Sequence, residues 1–336
     1  MRYPTKLYLC IQGEIILSRE VVAWTRRETF VFLVIAAIPT FLYEVMGWKL
    51  MAMPWLPVAL IGTAVAFLTG FKNSAAYSRL WEARQVWGSI LNESRTFTML
   101  VLDSCPDQEV RRRVLYRHLA WITALRYQLR EPRSWEHMAK SHNREFLQRY
   151  SVEEWDGKLH ERLQKLLSAE DLDYVWSKRN RATNILALQS RAFREMAAKD
   201  MFDEFRHIEL QHSMASFVDA QGRCERLKNF PYPRQFATLN YFFAWMFIIC
   251  VPFGMLQEFA KMGNGLVWLT IPASVVVSWV FHTMDKIGDS SENPFEGSPN
   301  DVPITAISRT IEVDVREMLD ESEIPPALQP VHDILM

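Results

Sequence analysis

The residues with the clearest chemical capacity are two Glu-x-x-His pairs, Glu204-Phe-Arg-His207 and Glu209-Leu-Gln-His212. On a helix, Glu and His three apart share a face and can reach one metal ion, and helical di-iron oxidases are built from such pairs. Those centres need the pairs on two facing helices, plus two further Glu. Here both pairs fall in one helical pattern, about 140° apart around it. They read as solvated or cavity-facing side chains, and no metal is assigned. Cys10, Cys105, Cys224 and Cys250 are too scattered for a zinc site or a disulfide framework and read as reduced thiols. There is no Gly-rich phosphate loop, Gly-x-Ser-x-Gly or Cys-His pairing, so neither an enzyme activity nor a cofactor is expected.

A different spacing does physical rather than covalent work. Between Lys49 and Lys72 the chain carries no Asp, Glu, Lys or Arg. A bilayer core of ~30 Å needs about 20 apolar residues in helix, so Leu50 to Phe71 is long enough to span. Within it Thr63, Phe67 and Phe71 recur at i, i+4, i+8. Gly62, Ala66 and Gly70 form a neighbouring stripe of small residues, the pattern that lets membrane helices approach closely. Phe stripes are usually packing or lipid contact, so spacing alone does not make this one a site.

The elements that would position these residues follow from charge and periodicity. The 336-residue chain is 49% hydrophobic and 12% aromatic, with a formal charge of −1. Nothing in that balance calls for nucleic acid. Its near-zero mean hydropathy averages apolar runs with long, heavily charged stretches. Glu14 to Arg27 reads as an amphipathic helix at a membrane interface, with no cleavable signal peptide before it. Thr29 to Tyr43, extended by Glu44 to Trp48, reads as a first span with Pro39 inside. Gln235 to Gln257 and Met262 to Met284 read as a second hairpin turning at Glu258-Phe-Ala-Lys261, with kinks at Pro252 and Pro272. Between the hairpins the pattern is helical. Pro106 opens one helix, Ser151 and Glu154 form a capping box, Leu172 to Ala197 is one long helix, and Phe202 to Lys228 is another. Thr305 to Leu319 is a short amphipathic helix, and Pro325 to Met336 a loose tail. The fold class is an all-α integral membrane protein with four transmembrane helices, its Lys/Arg-bearing segments and both termini cytoplasmic.

Three motifs make the chain resemble the bestrophin family of ion channels, in its prokaryotic branch. They are Gly70-Phe71 with the following AAYSRLWEARQVWGSILNESR, DAQGRCERLKNFPYP (Asp219 to Pro233), and ENPFEGSPNDVP (Glu292 to Pro303). The resemblance implies a homopentamer around a central pore in the inner membrane. Residues 1–28 would be the amphipathic arm, 29–71 a transmembrane hairpin with a pore-lining second helix, 72–234 a cytoplasmic helical domain, 235–284 the second hairpin, and 285–336 a cytoplasmic segment and tail. It implies a neck of three side-chain rings at Thr63, Phe67 and Phe71, where Thr63 departs from the usual apolar residue. It also implies a cytoplasmic aperture near Phe205 and Ile208. Animal members bind calcium just after the last span. Here Asn293 to Asp301 keeps Asn-Pro-Phe but only Glu296 and Asp301 as carboxylates, so a structural turn without calcium gating is expected. Carboxylates at Asp203, Glu204 and Glu209 flank the aperture and lean the expectation toward cations, with chloride as the alternative. Expected partners are lipid, permeant monovalent ions and other copies of the chain. The competitor from another class is a non-conducting membrane scaffold or sensor.

Overall fold

The structure is a computed structural model that describes residues 18–105, 107–138, 147, 149–263, 265–332 and 334–336, with side chains from 24 onward. Part of the expected amphipathic arm and Pro106 lie outside the described residues. Among those described there are ten α-helices, and the β-type pairing is one isolated bridge, Val331 with Ile334. The chain divides into two units.

The apolar unit contains α1 (Ser18–Glu44), the Trp55–Arg79 part of α2 (Trp55–Ser104), α8 (Arg234–Met262) and α9 (Thr270–Asp289). Small residues let these helices close on one another. A Cβ on Gly62 would come within 2.6 Å of the Phe247 ring, and one on Gly254 within 2.8 Å of Trp55. Gly70, by contrast, meets nothing within 4 Å. The expected small-residue stripe therefore splits: Gly62 is a packing position and Gly70 is not. α9 is tied to α1 where Trp279 Nε1 donates to Thr25 Oγ1 at 3.0 Å and Lys286 Nζ donates to Glu28 at 3.0 Å. The turn between α8 and α9 lies at Gly263 (φ 129°) and Gly265 (φ 94°), and Glu258 to Lys261 stay helical. Glycine reaches those positive φ values without a Cβ clash, which displaces the expected turn.

Three described helical stretches are long and apolar enough to cross a membrane: Lys49–Ser104, Arg234–Met262 and Leu266–Asp289. α1 ends at Glu44, so Val45 to Trp48 do not lengthen it as expected. Its uncharged helical run, Thr29 to Tyr43, rises only about 22 Å.

The polar unit contains Leu80–Ser104 of α2, α3 (Gln108–Arg130), α4 (Leu159–Gln164), α5 (Ala169–Trp176), α6 (Arg181–Ala197), α7 (Glu204–Asn229) and α10 (Ile304–Met318). Its core is aromatic, with Trp87, Phe97, Trp121, Phe193 and Phe217 essentially inaccessible. His118 sits inside it, 4.6 Å from the Phe217 ring centroid, and burial pulls its pKa down to about 3. Ser94 donates to Ile90 O, so His118 Nε2 is assigned as the donor to Ser94 Oγ at 2.9 Å, and the ring is neutral.

Three sequence readings are corrected here. Ser151 caps nothing: Glu153–Asp156 is a 3-10 turn, and the buried Glu154 accepts from Arg126 at 2.6 Å and from Thr305 at 2.7 Å. The helix expected over Leu172 to Ala197 is interrupted after Trp176, because the Asn180 side chain caps α6 by accepting from Thr183 N. The tail is not loose at its end, since Ile334 and Leu335 are buried and Met336 O accepts from Ala306 N at 2.7 Å.

Candidate functional site

The stripe Thr63, Phe67, Phe71 lies on one exposed face of α2. Phe67 is 65% exposed and Phe71 58% exposed in the single chain, in line with exposed Leu60 and Leu56 about one and two turns before Thr63. The two Phe rings meet edge to face with centroids 4.5 Å apart, an arrangement favoured by the ring quadrupole. Thr63 Oγ1 donates to Ala59 O of its own helix at 3.0 Å. That back-bond occupies the hydroxyl proton, so Thr63 continues the apolar ridge better than its residue type suggests.

The opposite face of α2 is clamped. Val58, Gly62 and Val65 are buried, with Val58 and Val65 in a cluster that includes Ala244, Phe247 and Val251. Below them, Thr69 Oγ1 donates to Asn240 Oδ1 at 3.2 Å, and Asn240 Nδ2 donates to Asp285 Oδ1 at 2.7 Å. Lys72, only 3% exposed, pairs with Asp285 at 2.8 Å and also with Asp289. The adjacent Asn73 donates from Nδ2 to Met284 O at 2.9 Å. A buried ion pair contributes little net stability, but losing one partner is expensive, so this cluster fixes the rotation of α2. The sequence reading missed it, because a lysine ending an apolar run reads as an interface anchor.

The proposed aperture residues sit at the start of α7. Phe205 is 81% exposed and Ile208 is also exposed. Asp203 is the N-cap, its Oδ1 accepting from Arg206 N at 2.8 Å. Glu204 and Glu209 are exposed, with His212 Nδ1 3.9 Å from Glu209. Both Glu-x-x-His pairs lie on α7, the single-helix arrangement that leaves no facing pair for a di-iron centre.

The Asn293 to Asp301 turn is buried apart from Asn300. Asp301 accepts from the backbone N–H of Phe295, Gly297 and Val302 at 2.7–2.8 Å and pairs with the fully buried Arg130. Its lone pairs are spent inside the protein. Burial, with Asp301 nearby, pushes Glu296 up to about 8, so this carboxyl is largely neutral at pH 7. Phe295 sits at φ 69°, an outlier for a bulky residue, held by Lys228 Nζ on its carbonyl and by the Asp301 bond to its N–H.

The family described as Bacterial/Fungal Bestrophin protein matches residues 7–317. The voltage-dependent anion channel-forming protein YneE of Escherichia coli K12 is 27% identical over 274 residues, covering 82% of this chain and 80% of that protein. The voltage-dependent anion channel-forming protein RSc3414 of Ralstonia nicotianae is 27% identical over 274 residues, covering 80% of this chain and 78% of that protein. The crystal structure of a bacterial bestrophin homologue from Klebsiella pneumoniae superposes with a TM-score of 0.75 at 22% identity, covering 89% of this chain and 99% of that one. The chain belongs to the bacterial and fungal bestrophin family, a family of membrane ion channels rather than enzymes.

Proposed function

We propose that five copies of this chain surround a central pore lined by α2, and that the pore passes small monovalent anions across the inner membrane. The observation that carries the reading is the asymmetry of α2. One face is packed and clamped, while the other turns Leu56, Leu60, Thr63, Phe67 and Phe71 outward from the single chain. Around a five-fold axis this ridge becomes stacked apolar rings. Such rings give an ion no ligands in exchange for its water, so the neck is closed by dewetting and opened by turning or spreading α2. Phe205 and Ile208 form the second, cytoplasmic constriction. In this reading α1 is a fourth, shorter span and both termini are cytoplasmic.

The relatives' named activity supports anions, the alternative in the sequence reading, over the cation lean. The carboxylates behind that lean lend it little weight. Asp203 is occupied as a helix cap, Glu209 is near His212, and Arg206 shares the same turn.

Bilayer recordings of the purified protein under asymmetric NaCl test both levels. The reversal potential is expected near the chloride equilibrium potential. Phe67→Ala with Phe71→Ala is expected to raise the current about tenfold, equivalent to ~1.4 kcal/mol off the barrier. Reversal near the sodium potential overturns the anion assignment. No current from either protein overturns the pore and favours the scaffold.

A further inference from the structure

A cavity of about 350 Å³ in the polar unit is lined by the C-terminal end of α3, the Glu153–Asp156 turn and the start of α6. Ligand pockets usually begin at ~300 Å³, so this one is large enough for a small organic molecule. Ala124, Pro132, Leu159 and the rings of Tyr127 and Trp155 give it an apolar wall. Both aromatic residues have their polar atoms occupied inside the protein. Tyr127 OH donates to Asp156 Oδ1 at 2.9 Å, and Trp155 Nε1 donates to Arg130 O at 3.0 Å. The benzo edge of Trp155 also packs at Gly297, where a Cβ would come within 3.1 Å of it. Rings anchored in this way present flat apolar area at little further cost in conformational entropy.

The charged lining residues differ in what they already hold. Arg130 is fully buried and spent on Asp301 and on Val302 O at 3.1 Å. Glu154 is buried and held by Arg126 and Thr305. Glu131, on the exposed rim, pairs with Arg133 at 3.1 Å. Arg179 and Arg181 are different, since neither side chain makes an ion pair or a hydrogen bond among the described residues. Arg179 is exposed on the turn before α6. Arg181 opens α6, its guanidinium 4.2 Å from the centroid of the Trp176 ring, which His160 meets edge-on at 4.7 Å. Its Nε is sealed inside the protein, so the donors it offers a ligand are the two Nη groups. Stacking on an indole fixes a guanidinium without using those donors. Among the lining residues three arginines meet two carboxylates, an excess of one positive charge. That excess is complementary to one negative charge and not to two.

We infer that this cavity binds a small aromatic monocarboxylate, its ring against Trp155 and Tyr127 and its carboxylate between Arg179 and Arg181. Guanidinium N–H groups match a carboxylate in geometry as well as charge. None of the lining residues belongs to the proposed neck or aperture, so the assignment stands apart from the permeation reading.

Isothermal titration of the full-length protein in detergent with 2-naphthoate, corrected for the heat of titrating micelles alone, tests the site without reference to conduction. Saturable binding is expected for wild type. Arg179→Gln with Arg181→Gln is expected to weaken it about tenfold or more, the loss of charge-assisted contacts. Arg179→Gln alone, at an exposed side chain without a partner, is expected to weaken it about threefold with an unchanged melting temperature. 2-Naphthamide, which keeps the ring and lacks the charge, is expected to bind at least tenfold more weakly than 2-naphthoate. Octanoate, which keeps the charge and lacks the ring, is also expected to bind more weakly. Lack of saturable heat in wild type overturns the site, and so does unchanged affinity in both arginine variants, which would put 2-naphthoate elsewhere on the protein. Equal binding of 2-naphthamide overturns the carboxylate, and tighter binding of octanoate overturns the aromatic ring.

Discussion

Phe67 and Phe205 are both exposed aromatic side chains on helices, yet they rest on opposite kinds of support. Phe67 lies well inside the 50-residue α2, with intact helical turns on either side. Behind it stand Gly62 against Phe247, Thr69 on Asn240, and Lys72 between Asp285 and Asp289. Phe205 is the second residue of α7 and depends on one cap, Asp203, and on Arg206 reaching Asp103 O at 3.3 Å. A first turn has unsatisfied N–H groups and opens at little cost, whereas a helix interior moves only as a body. The proposed neck is therefore suited to an all-or-none barrier, and the first turn of α7, as the proposed aperture, to an adjustable one.

The largest effect that would break this contrast is at Lys72. Lys72→Met leaves Asp285 and Asp289 without their cation, and removing one partner of a buried pair costs roughly 3–5 kcal/mol. The apparent melting temperature in detergent is expected to fall sharply. Adding Asp285→Asn and Asp289→Asn to Lys72→Met is expected to recover much of the loss. A Lys72→Met protein as stable as wild type would mean the clamp does not hold α2.

A smaller effect sharpens the contrast in flux. Against the roughly tenfold rise expected for the neck double variant, Phe205→Ala is expected to change liposome flux by less than about twofold, since a frayed first turn already yields. Equal rises from the two sites would mean that both are equally rigid barriers.

How far the sequence shows this depends on the range of each interaction. The exposed stripe of Thr63, Phe67 and Phe71 is legible because i, i+4, i+8 lies within one helix, and α10 (Ile304–Met318) falls within a residue of its amphipathic pattern. The clamp is not legible, because Lys72 meets Asp285 across 213 residues of chain and looks locally like any lysine flanking a span. Glu154 misleads for the same reason. Its spacing from Ser151 imitates a capping box, while its partners Arg126 and Thr305 come from α3 and α10. Local periodicity reports which face is apolar; only the packed structure reports which charges are inside.

The smallest effect separates two roles for one carboxylate. If Asp203 acts as a cap, its replacement by Ala removes the acceptor for Arg206 N, a loss of about 1 kcal/mol, and Asn keeps it. If it acts as part of a cation-selecting ring, Asn and Ala are equally damaging, because both remove the charge. Hydrogen exchange at the start of α7 is expected to speed up about fivefold in Asp203→Ala and to stay near wild type in Asp203→Asn, following the free-energy scale of 1.4 kcal/mol per tenfold. The reversal potential is expected to be the same in both variants. A shift of that potential in Asp203→Asn, with exchange unchanged, would return Asp203 to the permeation path and make the first turn of α7 a selectivity element instead of a flexible rim.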